Sequence, residues 1–545
     1  MSDHTFTSGT AHWPADKSTP VLELTTGDAL RRAAEMYPQR TALVEVVPKG
    51  MASLTGASHT ARRWTYRELL SEAEQCAHWL LTRFAPGERI CLWSPNVPEW
   101  VILQYGAALA GLVLVTANPA LRAAEIAYVL RQSKSCGLIH TSEFRGTDMA
   151  AIASELAVEI REVFCLSRWQ DEVRSHTGLA ALPHVRPRDP AQIQYTSGTT
   201  GHPKGALLHH TGLVTNASFT WGRAGIGGTV ALSPMPLFHT AGAVLSSLGS
   251  VVTGSTYVLP LQFDPELMMR TIERERCEVF FGVPTMQIAM LEHASHNSYD
   301  LSSLRVAISG GAPVPPELLR RIEQGFHCDF LTLYGQTECS PTISMLARAD
   351  SADDKSYTVG QPLPQVEARI TDPVSGHTLP VGSEGEIEAR GYQCMLEYFD
   401  MPEATELTMR VDGWVRTGDL GTMDSRGYLR VTGRLKDMII RGGENIYPAE
   451  LEACLMEHPA VAGVAVFGIP DAKWGEIVAA AVQLSESHPL PGSDALRDHC
   501  RSRLAPHKSP ILWFQCSAFP LTDSGKVQKF RLRELASRSE LAELL

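Results

Sequence analysis

Apolar residues set the first pattern in this chain. From Thr26 they recur at helical spacing, with Ala29, Leu30, Ala33 and Ala34 on one face. A second helical run follows Thr65 and carries Leu69, Leu70, Ala73 and Ala77. Short apolar runs alternate with these helices, and Arg89–Leu92, Leu112–Thr116 and Cys136–His140 read as strands. The rhythm returns after residue 228, with strands at Val230–Leu232, Ser255–Leu259, Val279–Gly282 and Arg305–Ser309. Strands alternating with helices predict a parallel-sheet α/β architecture. A more β-rich stretch follows over residues 356–430.

The C-terminal part has a different texture. Pro448 suits the first turn of a helix running through Leu455, where its missing N–H is not needed. Val464–Gly468 and Ile477–Leu484 read as strands around a turn at Pro470–Asp471, and Leu496, Cys500 and Leu504 mark one more helix. This is an α+β unit of about 100 residues, enough for a separate domain. Thr432–Gly443 reads as the linker to it. The most apolar stretch, Trp100–Val115, contains Gln104 and lies between Asn96–Pro98 and Asn118–Pro119. It predicts a buried helix followed by a buried strand, with no integral membrane association.

Length and charge narrow the field. A chain of 545 residues corresponds to roughly three or four structural units. Lys and Arg number 48 against 60 Asp and Glu, a net charge of −12, which argues against nucleic acid as a partner. The 11 cysteines contain no C-x-x-C pair, so free thiols in a reducing compartment are expected rather than a zinc or redox motif. The first twenty residues are polar and show no signal peptide, so the expected location is cytoplasmic.

Chemistry concentrates in a few segments. Tyr195–Gly205 (YTSGTTGHPKG) gathers the hydroxyls of Thr196, Ser197, Thr199 and Thr200, the glycines Gly198, Gly201 and Gly205, and Lys204. Hydroxyls donate hydrogen bonds, glycines let N–H groups close around an anion, and lysine adds positive charge. The composition suits a phosphate cradle, the alternative being a polar surface loop. It is not a Walker loop, because G-x-x-x-x-G-K-[ST] is absent. In Ser309–Pro313 (SGGAP), Gly310 and Gly311 would let a planar base or acyl chain approach the backbone. In Leu333–Glu338 (LYGQTE), Tyr334 is an aromatic plate, followed by the hydroxyl of Thr337 and the carboxylate of Glu338. Taken alone, Asp419 in TGDL reads as an Asx-turn residue. His239 in Pro236–Gly242 (PLFHTAG) alone reads as a packed core histidine, and no second His or Cys stands at ligand spacing to it.

Together with Gly433–Glu452 (GRLKDMIIRGGENIYPAELE) and Pro520–Lys529 (PLTDSGKVQK), these segments resemble, in order, the signatures of the adenylate-forming (AMP-binding) superfamily. The resemblance spans residues 26–535 and is strongest to medium-chain and general fatty-acyl-CoA synthetases. It implies a large α/β N-terminal AMP-binding domain, residues 1–435, made of two α/β subdomains and a β-rich subdomain. A small mobile α+β C-terminal domain, residues 436–545, would follow. The implied ATP/AMP-binding residues are Thr196, Ser197, Gly198, Thr199, Thr200, Gly201, Lys204, Gly311, Ala312, Pro313, Tyr334, Gly335, Asp419, Arg434 and Lys526. Tyr334 would stack on adenine, Thr337 contact phosphate, Glu338 hold Mg2+ and Asp419 accept the ribose hydroxyls. Arg434 would contact ribose and phosphate, and Lys526 would bridge the acyl carboxylate and the α-phosphate. The hinge would be Lys436. His239, Thr240, Gly282 and Gly310 would line the acyl pocket, and Gly442, Gly443 and Trp474 the CoA tunnel.

The implied reaction uses ATP, Mg2+ and CoA. A carboxylic acid becomes an acyl-AMP with release of pyrophosphate, and the acyl group then passes to the CoA thiol. A carboxylate is a poor acyl donor because oxide would have to leave, whereas the adenylate loses AMP. Its attack on a phosphorus surrounded by anionic oxygens needs cations and N–H donors where charge develops. Three alternatives remain: a ligase loading the phosphopantetheine of an acyl carrier protein, a luciferase-like oxygenase, and a non-catalytic acyl- or nucleotide-binding protein. An amino-acid-adenylating domain is disfavoured because residues 234–242 lack the aspartate of an F-D-x-S pattern.

Overall fold

In the computed structural model, the strand–helix alternation becomes two large sheets. The structure describes residues 9–48, 55, 62–158, 160–176, 181–196, 203–311, 314, 316–441, 444–471, 473–485, 491–521 and 527–544. They fall into two units. One comprises His12–Ala368 with Glu388–Arg416; the other comprises Met1–Ala11, Arg369–Ile387 and Thr417–Leu545.

In the first unit, a seven-stranded sheet runs in the order Glu397–Tyr398, Lys204–His209, Pro190–Thr196, Val113–Ala117, Arg89–Trp93, Gly137–His140, Glu162–Cys165. From Pro190–Thr196 onward its neighbours are parallel, and the first two strands join antiparallel. A nine-stranded sheet runs Gln361–Pro362, Thr342–Met345, Asp329–Gly335, Val306–Gly310, Val279–Phe281, Val230–Leu232, Thr256–Pro260, Thr41–Val46, Arg63–Thr65. It is parallel from Asp329–Gly335 through Thr41–Val46.

Local chemistry fixes the helices. Thr25 with Asp28, and Thr65 with Glu68, form capping boxes at the starts of Thr26–Met36 and Tyr66–Leu81. Every residue of the helix Pro98–Leu109 is buried, which is why it reads as unbroken apolar sequence. Its Gln104 is satisfied inside the protein: Nε2 donates to Ala243 O at 2.9 Å, and Oε1 accepts from Ser247 Oγ at 2.9 Å. No helix among the described residues is long and apolar enough to cross a membrane. All eleven cysteines are free.

In the second unit, residues 419–423 pair antiparallel with residues 429–434. A further sheet runs Glu444–Ile446, Ile439–Arg441, Gly475–Leu484, Leu512–Gln515, Ala542–Glu543, with Val461–Asp471 also pairing Gly475–Leu484. Leu451 and Leu455 of the helix Pro448–Met456, and Leu496 and Cys500 of the helix Ser493–Arg501, pack on Val466, Val478 and Trp513.

Three expectations are corrected here. The strand pair extends past Pro470, which sits opposite Glu476, and the turn comes later. Among the described residues Val461–Asp471 pairs on one side only, so its proline lies in an edge strand where a ladder N–H is dispensable. Thr432–Gly443 is not simply a linker: Ile439–Arg441 is a paired strand whose Ile439 is fully buried. Leu504 lies beyond the helix that Leu496 and Cys500 share.

Candidate active site

Ligands of open α/β sheets bind outside the carboxyl ends of the strands, and several of the candidate residues fall there. Thr196 ends its strand and stands opposite Lys204, the first residue of the antiparallel neighbour. The helix Ala123–Gln132 grips both flanks of the loop between them. Tyr195 Oη donates to Gln132 Oε1 at 2.6 Å, and Tyr128 Oη donates to Pro203 O at 2.9 Å. Gln132 Nε2 donates onward to Phe399 O at 2.6 Å. Tyr128 and Gln132 are four residues apart on one helix face, a polar pairing that sequence reasoning did not single out. Ser197, Gly198, Thr199, Thr200 and Gly201 lie outside the described residues, as do Ala312, Pro313, Gly442, Gly443 and Lys526.

The parallel strands Val306–Gly310 and Asp329–Gly335 pair Gly310 with Leu333 and so bring Gly310 and Tyr334 to adjacent strand ends. Tyr334 is largely buried. A Cβ on Gly335 would lie 1.9 Å from Pro341 O, so only glycine fits at this crossing. A Cβ on Gly310 would lie 2.7 Å from Leu333 Cδ1, and one on Gly282 would lie 3.0 Å from Phe280 Cε1. Neighbouring side chains therefore crowd both glycines of the expected acyl pocket. Gly311 follows with φ +78°.

Thr337 and Glu338 then occupy a single 3-10 turn, Thr337–Cys339, each only 8% exposed. Met395 N donates to Glu338 O at 2.8 Å, and Tyr398 Oη donates to Glu338 Oε1 at 2.5 Å. Lys204 Nζ lies 5.0 Å from the centroid of the same Tyr398 ring. Tyr398 was not anticipated from the sequence.

His239 has a defined tautomer. Ala241 N donates to its Nδ1 at 3.2 Å, so the neutral ring carries its proton on Nε2. Thr240 is fully buried, and among the described residues its hydroxyl has no hydrogen-bond partner. A π-helix, Ala241–Leu248, begins next, a form often found at functional sites.

In the other unit, Asp419 lies directly opposite Arg434 in the paired strands, and Arg434 Nε meets Asp419 Oδ1 at 2.7 Å. Asp419 is buried, whereas Arg434 is exposed. Asp419 N donates to Thr417 Oγ1, and Thr417 Oγ1 donates to Ile387 O, so Asp419 is held within the strand Val415–Met423 rather than in the turn its motif suggested. Lys436 is exposed in the short 3-10 turn Leu435–Asp437. Asp471 Oδ1 accepts from Lys473 N and Trp474 N, an Asx turn that presents Trp474 at 42% exposure. Arg441 and Lys473 lie 5.4 and 4.9 Å from the Trp474 ring centroid. Among the described residues no group of three His, Cys, Asp or Glu side chains could by itself hold a metal ion.

Residues 30–399 match the family described as AMP-binding enzyme, and residues 450–526 match the AMP-binding enzyme C-terminal domain. The chain belongs to the AMP-binding enzyme family. It is therefore an adenylate-forming enzyme, in the branch whose relatives are named acyl-CoA synthetases. One of these is YngI of Bacillus subtilis (strain 168), whose name marks it as a proposed acyl-CoA synthetase. It is 36% identical, over 94% of this chain and 97% of its own. The mitochondrial medium-chain acyl-CoA ligase ACSF2 of Danio rerio is 34% identical, over 95% of this chain and 89% of its own. Among solved structures, ATP-bound MatB from Rhodopseudomonas palustris superposes with a TM-score of 0.83 at 27% identity, covering 94% of this chain and 99% of that one. ATP use follows from the family and these neighbours.

Proposed function

We propose that this AMP-binding enzyme is an acyl-CoA synthetase that activates a medium-chain fatty acid as its acyl-AMP and transfers the acyl group to CoA. The observation that carries the reading is the gathering of Thr196, Gly310, Tyr334, Thr337 and Glu338 at or just after the carboxyl ends of strands in one unit. The name of the Danio rerio relative supplies the chain-length class.

The chain's own residues have separate tasks in this reading. The Thr196–Lys204 loop surrounds the phosphates, Tyr334 offers a face for adenine, and Asp419 accepts from the ribose hydroxyls with Arg434 beside it. Lys526 neutralises the incoming carboxylate as it approaches the α-phosphate. His239, as a neutral donor through Nε2, hydrogen-bonds an oxygen of the acid, and Thr240, Gly282 and Gly310 border the acyl chain. For Mg2+ the donor set fits: Glu338 has one oxygen engaged by Tyr398, and magnesium commonly takes one or two carboxylates plus substrate phosphates. When bound, the ion supplies charge neutralisation at the phosphates. Trp474, flanked by Arg441 and Lys473, suits the nucleotide end of CoA, because an aromatic face and two cations match an adenine and its phosphates. Lys436 acts as the hinge through which residues 436–545, including Gly442 and Gly443, change role between the half-reactions.

The test is a pyrophosphate-release screen over acids of graded length, with aryl and hydroxy acids included, and with CoA compared against a holo acyl carrier protein. The expected result is a maximum at medium-chain acids and thioester formation with free CoA. Thioester formation with the carrier protein alone, or a preference for aryl acids, overturns it. Lys526→Ala is expected to abolish acyl-AMP formation while leaving conversion of preformed acyl-AMP largely intact.

A further inference from the structure

Tyr398 belongs to a two-residue strand, Glu397–Tyr398, at the edge of the seven-stranded sheet. It pairs with Ala206. Lys204, two residues before Ala206, points to the same face, so Lys204 and Tyr398 are diagonal neighbours across the strand pair. This accounts for the ammonium lying 5.0 Å from the ring centroid, within the range of a cation–π contact. The other end of the side chain faces a different element: its hydroxyl donates to Glu338 Oε1 at 2.5 Å. That length belongs to a charge-assisted O–H···O bond.

The backbone around Tyr398 is fixed at several points. Leu396 N donates to Leu207 O at 2.8 Å, and Phe399 N donates to Gly205 O at 2.8 Å, locking the segment to the strand that starts at Lys204. Met395 N holds Glu338 O, so one short segment fixes both the main chain and the carboxylate of Glu338. One Glu338 oxygen is thereby taken and the carboxylate plane is set.

We propose that Tyr398 is a positioning residue of adenylation, holding the Glu338 carboxylate in orientation for a divalent cation while seating the Lys204 ammonium on its ring. The proposal rests on the assignment of Glu338 and Lys204 to the nucleotide site. Partners of this kind, one step out from a metal ligand, cost about 10–100-fold in metal affinity or activity when removed.

Two substitutions separate the two ends of the side chain. Tyr398→Phe keeps the ring under Lys204 and removes the hydroxyl; Tyr398→Leu removes both. Mn2+ binding to the enzyme–ATP complex, followed by electron paramagnetic resonance, should weaken about tenfold in Tyr398→Phe. Half-saturating Mg2+ for ATP–pyrophosphate exchange should rise in parallel, while thioester formation from preformed acyl-AMP stays within about twofold, because that step needs no cation at Glu338. Tyr398→Leu should also raise the KM for ATP several-fold beyond Tyr398→Phe. Unchanged Mn2+ affinity, or equal losses in both half-reactions with a lowered Tm, would reduce Tyr398 to a packing residue and overturn the proposal. The wild type and Glu338→Gln serve as controls for the underlying assignment. If Glu338→Gln leaves Mn2+ binding untouched, the site assignment fails and the proposal falls with it. If Glu338→Gln weakens binding and Tyr398→Phe does not, only the proposal falls.

Discussion

Two buried carboxylates, one in each unit, are partnered in opposite ways. Glu338 accepts from a neutral phenol, and among the described residues no ion pair reaches it. Asp419 is paired at 2.7 Å with the guanidinium of Arg434. A phenol orients a carboxylate without cancelling its charge, so the field of Glu338 remains available to a cation in a poorly solvated place. A guanidinium cancels the charge of Asp419 locally and leaves lone pairs for neutral donors such as hydroxyls. The same functional group is thus prepared for a cation in one unit and for a diol in the other, and the partner makes the difference.

The largest expected effect comes from removing charge where it is uncompensated. Glu338→Gln keeps the shape and can still accept from Tyr398, yet ATP–pyrophosphate exchange at saturating Mg2+ should fall by about 10²–10³. Activity within threefold of wild type would break the comparison. Asp419→Asn should act on affinity instead. The KM for ATP should rise about tenfold, the worth of a charge-assisted hydrogen bond, with kcat little changed. The contrast is sharpened with 2′-deoxy-ATP. If Asp419 receives the diol, the penalty for the missing hydroxyl shrinks in the Asn variant; an unchanged penalty removes Asp419 from the ribose.

The comparison also marks what the sequence could and could not reveal. The strand end carrying Gly310 was legible, through the apolar run Arg305–Ser309, whereas Thr196 and Tyr334 were legible only as chemistry, from the hydroxyl-rich loop and the Thr337–Glu338 pair, and not as the ends of strands. The Asp419–Arg434 pair was legible only as two separate motifs; their opposition depends on hairpin register. Tyr398 was not legible at all. It lies 60 residues from Glu338 in the chain, and a strand of two residues is too short to show alternation. Periodicity reports which face a residue takes within its own element, whereas the partner at a sheet edge is chosen by tertiary packing. The gripping of the phosphate loop by Tyr128 and Gln132 was missed for the same reason: both look like ordinary polar positions on a surface helix. Pro470 misled in the other direction, since a breaker signal carries no information about whether its strand will lie at an edge.

Lys436 tests whether the Asp419–Arg434 arrangement serves one half-reaction or both. It lies two residues after Arg434, in a turn closed by Met438 N donating to Arg434 O at 3.1 Å. Lys436→Pro fixes φ and removes an N–H in this turn while leaving Asp419 and Arg434 in place. Thioester formation from preformed acyl-AMP should slow about tenfold relative to exchange, as a restricted conformational step would. Equal slowing of both reactions, or of neither, removes Lys436 from the hinge role.

The smallest effect concerns the scaffold behind Glu338. His209 and His210 are buried at the junction of the strand Lys204–His209 and the helix that follows it. Gly212 N donates to His209 Nδ1, and Thr26 N donates to His210 Nδ1. Burial is the main cause that pushes both imidazoles down to about 4. The folded protein therefore needs them neutral, while the unfolded chain takes up protons near its ordinary pKa of 6.5. Stability is full above that value and is lost as pH falls from it towards 4, by about 0.8 kcal/mol per histidine between pH 7.5 and pH 6. Calorimetry should show the Tm of the transition involving this unit falling across that window. A His209→Asn, His210→Asn variant should flatten the slope even if it lowers the Tm at every pH, because asparagine offers an acceptor to the same N–H groups without titrating. A slope unchanged in the variant would place the acid sensitivity elsewhere. Loss of the Mg2+-dependent half-reaction ahead of thioester formation on mild acidification would tie this junction to the support of Glu338.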